Sequence, residues 1–174
     1  MEIKVPVFNA KGELEIIPSV TSAKEDFDFF VGKWKLKNRK LKTRLNDCTE
    51  WVEFEATQEN YKTLIGLANI DHFYTNFNDK PFEGMTIRLF DPTTRLWSIY
   101  WADSNVGKLD TPVVGSFENK IGLFFTKDIF EGSDILMVFR WDITDTSNPV
   151  WSQAFSTDKG RTWEWNWYMY MSKA

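Results

Sequence analysis

The 174-residue chain has one histidine and one cysteine, so it is poorest in the side chains on which most metal and nucleophile chemistry rests. Three-His metal sites and His-pair acid/base chemistry are excluded by count. A Ser-His-Asp triad finds no evident companions around His72. Cys48 alone rules out an internal disulfide and every Cys-x-x-Cys motif. Apolar runs stop at about strand length, as in Ile135 to Phe139. Glu2, Pro6, Lys11 and Glu13 interrupt the first twenty residues. The expectation is a cytoplasmic protein with no membrane partner and no cofactor. No Pro/Gly/Ser linker and no repeat divides the sequence.

What is abundant is aromatic: 15 Phe, 9 Trp and 5 Tyr. With 43% hydrophobic and 26% charged residues, the rest of the composition is that of an ordinary globular domain. The net charge of −4 is uneven, because Lys33, Lys35, Lys37, Arg39, Lys40, Lys42 and Arg44 follow one another with no acid between them. Such a run can form a nucleic-acid stripe. Here the first four alternate with Trp34, Leu36 and Asn38, the period of a half-buried strand. The segment Glu50–Ala56 places Glu53 and Glu55 on one face and Val52, Phe54 and Ala56 on the other. Paired as a hairpin, the two segments set Lys opposite Glu outside and apolar groups inside. A charge ladder, and no nucleic-acid partner, is therefore expected. After Arg39 the basic residues move to even positions, which predicts a bulge near 39–40.

Residues 1–21 read as an extended arm with a turn at Asn9–Gly12, and residues 22–174 as one barrel domain. Ser22-Ala-Lys-Glu25 is a capping-box signal for a short helix that ends near Gly32. Beyond it, strand patterns fall near 32–42, 49–57, 60–68, 70–77, 83–91, 95–103, 112–118, 120–127, 134–143, 149–156 and 162–171. Turn signals lie between many of them, among them Asn78–Pro81, Asp91–Thr94, Glu131–Ser133 and Asp158–Gly160. The prediction is an all-β antiparallel barrel of about ten strands with a short N-terminal helix.

Three motifs carry a resemblance: Phe27-Asp-Phe-Phe-Val-Gly-Lys-Trp34, Asp91 to Trp101, and Ser156 to Trp167. Together they resemble a lipocalin-like (calycin-type) family of bacterial proteins of unknown function, over roughly residues 22–171. The resemblance implies a small barrel with a Gly-x-Trp at the start of its first strand, and it brings no catalytic residues. Haem-binding barrels that resemble nitrobindin carry a late histidine, whereas no His follows His72 here. Ser156 to Trp163 also matches a single Asp-box, a hairpin built by turn chemistry.

Pairing that hairpin so that Phe155 meets Trp163, Gln153 meets Trp165 and Trp151 meets Trp167 gathers an aromatic wall on one face. Either the wall is plain core, or it lines a pocket with Gln153 as its polar hook. Arg88 is a second polar candidate; the alternation leaves open whether it or Ile87 and Leu89 points inward. The candidate ligand-binding residues are Arg88, Trp97, Gln153, Trp165 and Trp167, with no metal site and no assigned catalytic residue. Three functional readings follow: a binder of a small apolar or aromatic, carboxylate-bearing molecule; a cofactor-free isomerase, cyclase or decarboxylase in the same lumen; or a structural protein with a filled core. In the third, Tyr168 and Tyr170 would mediate homodimerisation.

Overall fold

Alternation between inward apolar and outward charged residues runs through ten consecutive segments, and the chain folds as a meander that closes on itself. The computed structural model describes residues 3, 6–77 and 79–174. Asn78, from which a turn is expected, and residues 1, 2, 4 and 5 of the arm lie outside the described residues. The arm forms a small hairpin, β1 (Val7–Phe8) with β2 (Leu14–Glu15). Its turn is held by Asn9 Oδ1, which accepts from the backbone N–H of Lys11 at 2.9 Å and of Glu13 at 3.0 Å. The barrel strands are β3 (Gly32–Leu41), β4 (Trp51–Thr63), β5 (Ala68–Phe77), β6 (Lys80–Asp91), β7 (Leu96–Asp103), β8 (Val113–Glu118), β9 (Ile121–Phe130), β10 (Ser133–Asp142), β11 (Val150–Ser156) and β12 (Glu164–Lys173). Each pairs antiparallel with its neighbours in sequence, and β12 pairs with β3 to complete a closed ten-stranded barrel. The protein is all-β, and closure leaves the barrel no free sheet edge.

The charge ladder sets the register of β3 against β4, with Lys33 opposite Glu59, Lys37 opposite Glu55 and Arg39 opposite Glu53 on the outer face. The expected bulge near 39–40 is absent. Pairing continues unbroken to Lys40 opposite Val52 and Leu41 opposite Trp51, so simple alternation turns Lys40 inward. Two expected strands, 49–57 and 60–68, are one long β4 followed by a tight turn at Leu64–Gly66. The inward residues Gln58 and Asn60 are polar and buried, and their polarity disguised the continuity of the strand.

The capping-box helix does not form. Asp26 serves the turn instead: its Oδ2 accepts from the Ala23 N–H at 3.0 Å and the Ser22 hydroxyl at 3.3 Å. One 3-10 turn, Asp28–Phe30, follows. It inserts Phe27 and Phe30 into one end of the barrel as a plug. Phe27 lies edge-on to Trp97 and Phe117, each 5.0 Å away, and Phe30 packs on Trp34 at 5.6 Å. The Trp34 indole N–H donates to the Phe30 carbonyl at 2.7 Å, which locks the plug to the first barrel strand.

The final hairpin departs from its expected pairing. Trp151 faces Met169 and Gln153 faces Trp167, while Ala154 faces Trp165; Asn166 is the extra residue of a β-bulge. Trp167 and Met169 therefore point into the barrel. Trp163 and Trp165 turn outward, where they pack with Val138, Ala154 and Phe125 beneath Ile3 of the arm.

The Asp158 turn preceding β12 is built as its motif implies. Asp158 Oδ1 accepts from the N–H groups of Arg161 and Thr162, both at 2.9 Å, and Oδ2 accepts from the Thr162 hydroxyl at 2.6 Å. These bonds hold its carboxyl down at about 2, below the ordinary value of 3.8. A depressed folded-state pKa contributes stability above the unfolded value, and that stability is lost as pH falls through the folded value. Asp158→Ala is expected to lower the urea midpoint at neutral pH, with the gap to wild type closing between about pH 4 and pH 2. A gap that stays constant over that window would refute the assignment.

Candidate functional site

The plug fills only one end of the barrel. Above it a cavity of about 310 Å³ runs to the open end, at the small end of the ~300–1,000 Å³ range of ligand pockets. Aromatic walls come from β5, β7, β10, β11 and β12, including Phe73, Trp101, Phe139, Trp151 and Trp167. Trp151 and Trp167 meet edge-on at 5.5 Å, and Phe139 and Trp151 at 4.9 Å. Their orientation is fixed in part by the Trp167 indole N–H, which donates to Asn38 Oδ1 at 3.0 Å.

Of the residues expected from sequence to form a ligand site, Arg88, Gln153 and Trp167 line this cavity. Trp97 lies lower, packed against the plug, with its N–H donated to the Ala23 carbonyl at 3.2 Å. Trp165 is on the outer face because of the bulge at Asn166. Arg88 does point inward, at 3% exposure, but its partner is already present. Its Nη1 donates to Asp71 Oδ2 at 2.5 Å and to Asn69 Oδ1 at 2.9 Å, and the guanidinium sits over the rings of Phe27, Phe30 and Trp141. This is the floor of the cavity. Asp71, completely buried, holds the position at which a ligand carboxylate would bind Arg88. Gln153 in turn donates to Asn166 Oδ1 at 2.9 Å.

The charges available to a ligand lie higher, near the mouth. Lys40 and Arg44 stand on one side, and Asp103, Asp110 and Asp128 line the other. No ion pair joins the two groups within 4 Å among the described residues. Burial lowers the Lys40 ammonium to about 8, helped by repulsion from Arg44 and opposed by Asp103. Burial likewise pushes the Arg44 guanidinium down, against the attraction of Glu164 and Glu131. Across the mouth, burial raises Asp110, with Asp128 and Asp103 adding like-charge repulsion. Glu164 Oε2 accepts from the Leu45 N–H at 2.8 Å and ties the loop that carries Arg44 to β12.

Lys40, Arg44 and Asp71 were not among the site residues expected from sequence. The shift of the basic residues to even positions after Arg39 was the signal for Lys40. For Asp71 the signal was its shared phase with Asn69, Phe73 and Thr75. His72 is on the exposed outer face against Glu83, away from the lumen. Among the described residues no group of three His, Cys, Asp or Glu side chains is arranged to hold a metal ion. No helix of the described residues is long and apolar enough to cross a membrane.

Fold and site together define a class: a closed ten-stranded antiparallel barrel, plugged at one end, with an aromatic lumen open at the other. That architecture is compatible with a lipocalin-like fold. No protein-family model matches the chain, and no curated protein matches it.

Proposed function

We propose that the protein binds a small, largely aromatic molecule in the barrel lumen, with an anionic group of the ligand held at Lys40 and Arg44. The observation that carries this reading is the aromatic cavity above the plug, with two cations at its mouth that have no carboxylate within ion-pair distance among the described residues. Indole and phenyl walls supply contact area at little conformational cost. Two partly desolvated cations supply orientation. The reading fits the resemblance of the Phe27–Trp34, Asp91–Trp101 and Ser156–Trp167 segments to lipocalin-like bacterial proteins, and it goes with a cytoplasmic setting. A carboxylate docks at the mouth rather than on Arg88, because Asp71 neutralises the floor.

An enzyme in the same lumen is the second reading. It is favoured by the raised Asp110 facing the lowered Lys40 across one cavity, since opposed shifts of that kind separate acid and base roles. Self-association of two copies is proposed for the outer ladder in which Trp165, Tyr168 and Tyr170 stack at successive 6.2 Å spacings.

The test is tryptophan fluorescence with 2-naphthoic acid and 2-naphthylmethanol. The expected result is quenching by both, with the acid bound at least about tenfold more tightly. The preference falls to near unity in the Lys40→Met/Arg44→Met variant, a difference of about 1.4 kcal/mol or more. Absence of quenching by either compound at millimolar concentration would overturn the reading.

A further inference from the structure

We propose that Lys40 is a covalent docking point, its ε-amine condensing with the aldehyde of an aromatic ligand seated in the lumen. The inference rests on the lumen-binding reading but not on its anion contact, and goes beyond it by naming a further ligand class, an aromatic aldehyde. Lys40 reaches the cavity because β3 passes from Arg39 to Leu41 without a bulge, directly opposite Trp167 of β12. Its Nζ lies 3.9 Å from the centre of the Trp167 ring. Among the described residues it donates no hydrogen bond and meets no carboxylate within 4 Å, unlike Lys42 on Glu50 at 2.9 Å or Lys62 on Asp28 at 2.6 Å. An ammonium held over an indole and flanked by Arg44 is stabilised by dispersed π charge rather than by an anion. It therefore loses a proton more readily than a paired lysine does.

The neutral amine is the nucleophile in carbonyl addition. With its pKa lowered to about 8 by burial, about a tenth of Lys40 is neutral at pH 7, against under a thousandth for an ordinary lysine. The groups that face it are Arg44 from the β3–β4 loop, Asp103 at the end of β7, Asp110 from the β7–β8 loop and Asp128 of β9. In the reaction the nitrogen lone pair adds to the aldehyde carbon, and a proton passes from nitrogen to oxygen to give a carbinolamine. Loss of one water then leaves the C=N bond. No oxidant or reductant is consumed, and hydrolysis reverses the step. The aryl group lies among Trp151, Phe139 and Trp167, and the aldehyde faces the mouth.

The experiment incubates the full-length protein with 2-naphthaldehyde and sodium cyanoborohydride, followed by intact mass and peptide mapping. Binding of unreactive 2-naphthylmethanol to the wild-type protein is measured in parallel. One reduced adduct is expected per chain, on Lys40, with at least about tenfold less label on Lys35 and Lys37, which lie on the exposed face of the same strand. Lys40→Met is expected to remove that adduct. Lys40→Arg, which keeps the charge, removes it as well while circular dichroism reports a folded barrel. Label spread evenly over the strand lysines, or undiminished in either variant, overturns the inference. If the alcohol still quenches the wild-type protein, the lumen-binding reading survives that result. If neither the alcohol nor the aldehyde binds, both fall.

Discussion

Asp71→Leu is expected to destabilise the barrel by about 3–5 kcal/mol, because it leaves the buried Arg88 guanidinium at the cavity floor without its carboxylate partner. Arg88 is 3% exposed and Asp71 fully buried, and no other carboxylate pairs with Arg88 among the described residues. Neighbouring rings of Phe27, Phe30 and Trp141 offer cation–π contact, worth about 2 kcal/mol when desolvated, too little to replace the lost anion. The second substitution decides the interpretation. Asp71→Leu/Arg88→Leu removes both charges, and breaking a buried pair costs more than replacing it with apolar residues. The double variant is expected to recover most of the loss, to within about 2 kcal/mol of wild type, in urea unfolding followed by tryptophan fluorescence. If the double variant is as unstable as the single one, the pair matters through shape and hydrogen bonding, and the charge argument fails.

Gly115→Ala should be the more damaging of two glycine substitutions that look alike in sequence. Gly115 sits in β8 between Trp97 of β7 and Phe124 of β9. A Cβ there would stand 1.8 Å from the Leu123 carbonyl oxygen and 2.7 Å from the Phe124 Cα. Both are main-chain atoms of the adjoining strand, so the clash is relieved only by pulling β8 from β9. At Gly84 the added Cβ meets the ring of Trp101 at 2.0 Å, but a side chain at the wall of an open cavity can swing away. Overpacking of the second kind costs about 1–3 kcal/mol. Gly115→Ala is expected to exceed about 4 kcal/mol, seen as a large drop in urea midpoint or in soluble yield. Equal midpoints for the two variants would show that β8 is free to move.

Much of this architecture was legible in the residues. Opposed Lys and Glu along β3 and β4 announced that the two pair in phase, because an out-of-phase pairing would set Lys opposite Val52 and Phe54 and mix the two faces. Asp and Gly at the turns announced the hairpins. The errors have a common cause, which is that alternation assumes every residue in a strand is counted once. Asn166 has no partner of its own on β11, and it sends Trp165 outside. A bulge expected near Arg39 does not exist, and Lys40 comes inside. The polar floor was hidden for a different reason. Asp71, Asn69 and Asn60 face inward, where they satisfy Arg88 or one another, and hydropathy reads such residues as outward. Site residues thus fell where local pattern and tertiary partnership disagree.

The seam between β12 and β3 has a kinetic consequence. Asn38 and Trp167, joined across it, are 129 residues apart. Nine strands can form hairpin by hairpin as the chain is synthesised, but the cylinder cannot shut until β12, the last of the ten, is available to pair with β3. Until then both flanking strands present open backbone to any neighbouring chain. Both strands of this seam line the cavity, with Lys40 on one and Trp167 on the other. Capacity to hold a ligand therefore arises in one step at the end of folding, and a bound ligand would act as a clasp across the last joint to form.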